Sequence, residues 1–184
     1  DQIIENDEFL TEKYLMEEAI TDEELISALR AATISGAVHP VLCGSALKNK
    51  GVQLVLDRVV DLLPSPVEVP PVKCEDAKTG EMAERGPSDD EPLSALVFKI
   101  VTDQYGRLAF TRIYSGTLKT GTMVLNSTKG ERERVGRIVR MFADRREDVE
   151  MVHAGDIAAV IGLKETFTGD TLTAINKPVI LESI

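Results

Sequence analysis

Residues 41–51, VLCGSALKNKG, run from apolar side chains into Gly44-Ser45-Ala46 and then into a polar turn. A strand that enters a tight turn and leaves it as a helix exposes backbone N–H groups at the carboxyl edge of a sheet, where α/β proteins place ligands. Such an N–H can donate to guanine O6, whereas adenine would set a second donor against it. A donor left unpaired costs about 1–3 kcal/mol, enough to select a base. Ser45 is expected to fix the turn through its hydroxyl. Taken alone, the three residues fit an ordinary small-residue connection better than a binding loop.

The other reactive residue types form no constellation. His39 and His153 stand alone, without the HxxxH or HExxH spacing of a metal site, and are expected to be structural or solvated. Cys43 and Cys74 lack CxxC spacing and are expected to be plain reduced thiols. The carboxylates crowd into the first half, where charge runs usually mark solvated faces. Neither catalysis nor metal binding by this chain is expected.

The chain has 184 residues and a formal charge of −10. The charge is unevenly divided: residues 1–92 carry −12 and residues 93–184 carry +2. Only the second half is therefore suited to a phosphate backbone. No stretch approaches the roughly 20 apolar residues that span a bilayer. The opening DQIIENDEFL has neither the basic start nor the apolar core of a signal peptide, so a cytoplasmic protein without a membrane partner is expected.

Periodicity divides the chain as charge does. Thr21 and Glu24 form a capping-box pattern, with Ile20 and Leu25 placed as a hydrophobic staple, and the helix that follows should end before Gly36. Val38–Cys43 is expected to be a short buried strand, restricted by Pro40 to an edge or to a start at Val41. Val52, Val55, Leu56, Val59, Val60 and Leu63 make the stripe of an amphipathic helix, stopped by Pro64-Ser65-Pro66. Residues 64–92 hold six of the eight prolines and suggest a linker or poorly ordered crossing. Beyond it lie short strands between glycine turns. In the first, Leu93, Ala95, Val97 and Val101 alternate with Leu96, Phe98 and Ile100, so both faces are apolar, as in a closed or covered sheet. The expected fold class is α+β: helices and one strand over 1–66, a linker over 67–92, and a β-barrel over 93–184.

Longer stretches carry a more specific signal. VLCGSALKNKGVQLVLDRVVDLLPSP resembles the last guanine-recognition motif of the elongation factor G family of translational GTPases, with its following helix and proline exit. LSALVFKI, GRLAFTRIYSGTL, GRIVRM, AGDIAAVIGLKETFTGDTL and LESI resemble that family's second domain, in order. ENDEFLTEKYL resembles the tail of the insertion before the guanine motif.

This resemblance implies a partial α/β GTPase segment followed by a translation-factor Greek-key barrel, both belonging to a longer ribosomal translocase. Ser45 and Ala46 would contact guanine in the intact parent, which would bind GTP and magnesium. The barrel would pack on the GTPase domain and face small-subunit ribosomal RNA. A phosphate loop and an Asn-Lys-Xaa-Asp motif are absent from the sequence, and the switch motif is taken to be absent too, so the chain alone is expected neither to bind GTP nor to hydrolyse it.

One departure is a first hairpin, Asp103-Gln104-Tyr105-Gly106, that is one residue shorter than the family pattern; it leaves room for a ribosome-protection or release-type relative. A free-standing RNA-binding barrel is the alternative from another class.

The candidates for RNA contact are Lys119, Lys129, Arg132, Arg134, Arg137 and Arg140. Arg132, Arg134 and Arg140 share a parity and would face one side of a regular strand. Glu131 and Glu133 interleave with them, so a solvated ion-pair ladder explains the same pattern. With its apolar stripe cut off from the rest of a parallel sheet, the first part is also expected to self-associate or to be covered by other domains.

Overall fold

The computed structural model describes residues 2–103, 106–142 and 145–181. It divides into two compact units, Asp1–Ser65 and Pro66–Ile184.

The first unit is helical: α1 (Gln2–Glu5), α2 (Glu8–Leu15), α3 (Asp22–Ile34) and α4 (Val52–Leu62). Asp7 caps α2 by accepting from Leu10 N at 3.0 Å. The capping box of α3 is formed: Thr21 Oγ1 accepts from Glu24 N at 3.2 Å, and the Glu24 carboxylate accepts from Thr21 N at 2.8 Å. Lys13 reaches the same carboxylate at 2.7 Å, and its hydrogen bond holds Glu24 below the usual carboxylate range. The helix ends as expected, with Gly36 in the left-handed region beyond it.

The expected strand is not formed here, and the apolar stripe is left for a partner, as expected. Residues 38–44 have no regular secondary structure, and Val41 is 93% exposed. A strand is stabilised by its ladder, and no described residue of this unit offers a partner edge. The α4 stripe is largely uncovered, with Val55, Leu56, Val59, Val60 and Leu63 all exposed; the side chain α4 buries is Leu62, off the stripe.

The second unit begins with β1 (Val72–Asp76) and β2 (Met82–Arg85), an antiparallel pair to which β13 (Val179–Ile180) adds a third strand. The segment expected to be a linker over 67–92 is therefore in part a sheet. Asp76 shapes its turn, accepting from Lys78 N and Thr79 N at 2.8 and 3.0 Å, which lowers its pKa, and Gly80 closes the turn at positive φ. Prolines flank the two strands without entering them, so the composition that suggests a crossing does not interrupt the ladder.

The main sheet contains β3 (Ser94–Asp103), β4 (Gly106–Ser115), β6 (Met123–Asn126), β7 (Glu131–Arg134), β8 (Arg137–Phe142), β9 (Arg145–Val149), β11 (Ile157–Ile161) and β12 (Thr171–Thr173); β5 (Leu118–Lys119) pairs separately with β10 (Met151–Val152). Its order, β7-β6-β12-β3-β4-β11-β8-β9, places β12-β3-β4-β11 in the spatial sequence of a Greek key. Ala95, Val97, Ile113, Leu118, Val124, Ile138, Val160 and Leu172 form the main core, while Leu108, Val139 and Ala159 form a second cluster. Adjacent residues of β4 and β11 are thus buried on opposite faces, as the two-sided apolar pattern implies.

The alternation in β3 is broken where it was expected to be regular. A register shift between Val97 and Lys99 changes the phase, so Ile100, three residues after Val97, packs on the same core and Phe98 is exposed. The stretch ERVGRIVRMF, which reads as one strand in the sequence, is likewise split between β7 and β8, with Val135-Gly136 outside both. A Cβ on Gly136 would lie 2.6 Å from Ile161 O, and the glycine permits that approach.

Candidate functional site

The turn at Gly44–Ala46 is closed by a reciprocal pair of backbone bonds, Ser45 N to Lys50 O at 2.9 Å and Lys50 N to Ser45 O at 3.0 Å. Lys48 N and Asn49 N donate to Ser45 O and Ala46 O. Lys48 N also lies 3.4 Å from Ser45 Oγ, the contact expected of the serine. Gly44 is required, since a Cβ there would stand 2.7 Å from Lys50 O. Gly51, at φ 75°, starts α4 without a side-chain cap.

These bonds separate the two expected guanine contacts. Ser45 N–H is spent inside the turn, whereas Ala46 N–H has no acceptor among the described residues. A cleft of about 320 Å³ opens beside it, between Gly44–Ala46 and the first turns of α4. The turn can therefore offer the Ala46 backbone donor to a flat polar edge lying against Val55 and Leu56.

The six basic residues do not form one face. Arg132 and Arg134 lie on β7 and Arg140 on β8, strands that are not neighbours, because of the break at Gly136. Four of the six are already engaged. Lys129 donates to Glu165 O, lies 3.1 Å from Asp170 and stands 4.0 Å over the Phe167 ring. Arg140 pairs with Asp156 at 3.1 Å, Arg137 lies 3.9 Å from Asp148, and Arg134 Nε donates to Gly121 O at 3.2 Å. Lys119 and Arg132 are exposed and have no ion-pair partner among the described residues.

Glu133 corrects the ion-pair ladder. It is buried and accepts from Lys164 N, Glu165 N and Thr166 Oγ1, holding the loop that follows β11. On the same loop Asp170 accepts from Asn126 Nδ2 and Phe167 N at 2.8 and 2.7 Å, and Arg107 donates to Lys164 O and Thr166 O.

His153 proves structural. Its Nδ1 is 2.6 Å from Asp89, which also accepts from Ala154 N at 3.0 Å; both bonds, the histidine's first, hold Asp89 below the usual carboxylate range. Cys43 and Cys74 are free thiols, and burial pushes Cys74 up. Among the described residues no cluster of metal-ligating side chains occurs and no helix is long and apolar enough to cross a membrane. An Asp-Xaa-Xaa-Gly spacing does occur, at 103–106, but Asp103 pairs with Gly106 across the β3–β4 hairpin; Gln104 and Tyr105 lie outside the described residues. The spacing thus begins at the last residue of β3 and ends at the first of β4, and the sequence holds no phosphate loop.

A family model for elongation factor G domain 2 matches residues 92–175. The barrel belongs to that family. A solved structure from Thermus thermophilus is similar over 100% of this chain, with 28% identity and a TM-score of 0.71. This chain spans 25% of the length of that protein. The elongation factor G domain 2 match takes in β3 through β12 together with the loop held by Glu133, Lys129 and Arg107, and it makes this a translation factor domain.

Proposed function

We propose that the chain works in translation as part of an elongation factor G-type GTPase, its barrel packing on the GTPase domain and contacting small-subunit ribosomal RNA. The observation that carries this reading is the domain 2 match at residues 92–175, preceded in the same chain by a turn that presents an unspent Ala46 N–H beside an open cleft. Ala46 is the guanine donor, and Ser45 builds the turn.

Phosphate and magnesium contacts supply most of the affinity at such sites, and the sequence has no phosphate loop to make them. The chain by itself is neither a GTPase nor a nucleotide binder. Calorimetry with GDP at concentrations up to about 100 μM should give no binding isotherm, and a Kd near 1 μM, about −8 kcal/mol, would overturn this.

For ribosomal RNA, Lys119 and Arg132 are the two of the six candidate cations left to make phosphate contacts. The double reversal Lys119→Glu, Arg132→Glu should weaken co-sedimentation with small ribosomal subunits by about tenfold and flatten the salt dependence by roughly two charges. Unchanged binding with an unchanged slope would remove both residues from the interface. The short β3–β4 connection favours, as a second reading, a ribosome-protection or release-type GTPase with the same two-domain core.

A further inference from the structure

We propose that the cavity between the 66–87 segment and β4 is a phosphate site, taking inorganic phosphate or the terminal phosphate of a small phosphomonoester. Arg85 on β2 and Arg112 on β4 line one cavity of about 180 Å³, with Pro66, Pro70, Pro87 and Tyr114 among its other walls and no Asp or Glu lining it.

Neither guanidinium has an ion-pair partner among the described residues, in a chain with 31 carboxylates for 21 Lys and Arg. Elsewhere in the same unit Lys129, Arg137 and Arg140 each stand within 4 Å of an Asp. Arg112 lies 4.9 Å over the Tyr114 ring, which orients it without neutralising it. Arg85 gives one long bond, Nη1 to Glu84 O at 3.3 Å, and its Nε–H is shielded from water with no acceptor.

Each guanidinium carries five donors in a planar fork suited to phosphate oxygens; Arg112 is exposed and Arg85 half-buried, and the Arg85 Nε–H is the shielded donor that lacks an acceptor. A phosphate dianion balances both charges; a carboxylate would leave one uncompensated. The volume is below the roughly 300–1,000 Å³ of drug-sized pockets, which limits the ligand to phosphate on a short body lying against proline and tyrosine.

Inorganic phosphate and phenyl phosphate titrated into the chain, followed by calorimetry and by the arginine Nε–H signals in NMR spectra, test the site. Saturable binding of one equivalent is expected, at least fivefold weaker for Arg85→Met and for Arg112→Met and unchanged for Arg145→Met on β9. Because the second pKa is near 6 for a phosphomonoester and about one unit higher for inorganic phosphate, binding of either should also weaken at least threefold between about pH 8 and pH 5.5. Tighter binding of phenyl phosphate than of phosphate would identify a phosphomonoester as the ligand; equal binding would identify the free ion. Should a methionine variant lose its barrel by circular dichroism, Arg85→Lys and Arg112→Lys replace it and are expected to bind about threefold more weakly than the parent chain. Absence of saturable binding, or binding that survives both arginine substitutions, would overturn the proposal.

Discussion

Replacing Gly116 by alanine should cost the barrel at least about 3 kcal/mol, and circular dichroism or urea unfolding should show a chain that is partly unfolded or melts far earlier. Gly116 sits at φ 70°, and a Cβ there would lie 2.6 Å from Leu93 N and 2.7 Å from Glu91 O and Leu93 Cα. All three are backbone atoms, so no side chain can swing aside. Its N–H also donates to Ser88 O at 2.8 Å, so a shift that relieves the overlap breaks this bond. Gly130→Ala is the matched control. Gly130 has φ 74° with nothing within 4 Å of the added carbon, so only the backbone conformational cost of about 1 kcal/mol should appear. Equal losses in the two variants would show that the Ser88–Leu93 segment does not press on Gly116.

Glu133→Ala should destabilise the same unit by about 3 kcal/mol, a fall of roughly 10 °C in its melting temperature. The carboxylate is buried at 6% exposure and is the shared acceptor for two backbone N–H groups and the Thr166 hydroxyl. Truncation leaves those donors without a partner and opens a hole under the loop. Glu133→Gln keeps one carbonyl acceptor and loses the charge, so it should recover about half the loss. A change below about 1 kcal/mol in the alanine variant would mean that the loop is held by Asp170, Lys129 and Arg107 alone.

Both sites show where the sequence was silent. ERER between two glycine turns looks like a solvated ladder, and nothing in its spacing separates Glu131, which is exposed, from Glu133, which is buried. The difference comes from residues 164–166, about thirty positions later, whose N–H groups need an acceptor. Gly116 was legible as a turn, but not as a contact point for a proline-rich segment more than twenty residues upstream. That segment had a local signal that composition concealed: Asp76 and Gly80 set four residues apart between two short alternating runs, the marks of a hairpin. The Val38–Cys43 strand was misjudged for the opposite reason. Its apolar run is genuine, but a run becomes a strand only when another edge completes its hydrogen bonds, and no described residue of the unit does so.

The sequence by itself determined the helix start at Thr21, the extent of α4, the run of short strands after residue 92 and the collinear stretches that point to the elongation factor G family. These follow from local capping, from side-chain period and from contiguous motifs, none of which depends on distant residues. Only the tertiary structure decided that Ser45 N–H is consumed while Ala46 N–H stays open, that four of six candidate cations are engaged, and that Arg85 and Arg112 share a cavity without a carboxylate. Each of these depends on which donors and charges lie within hydrogen-bond or ion-pair distance, and the fold sets that by bringing together residues far apart in the chain.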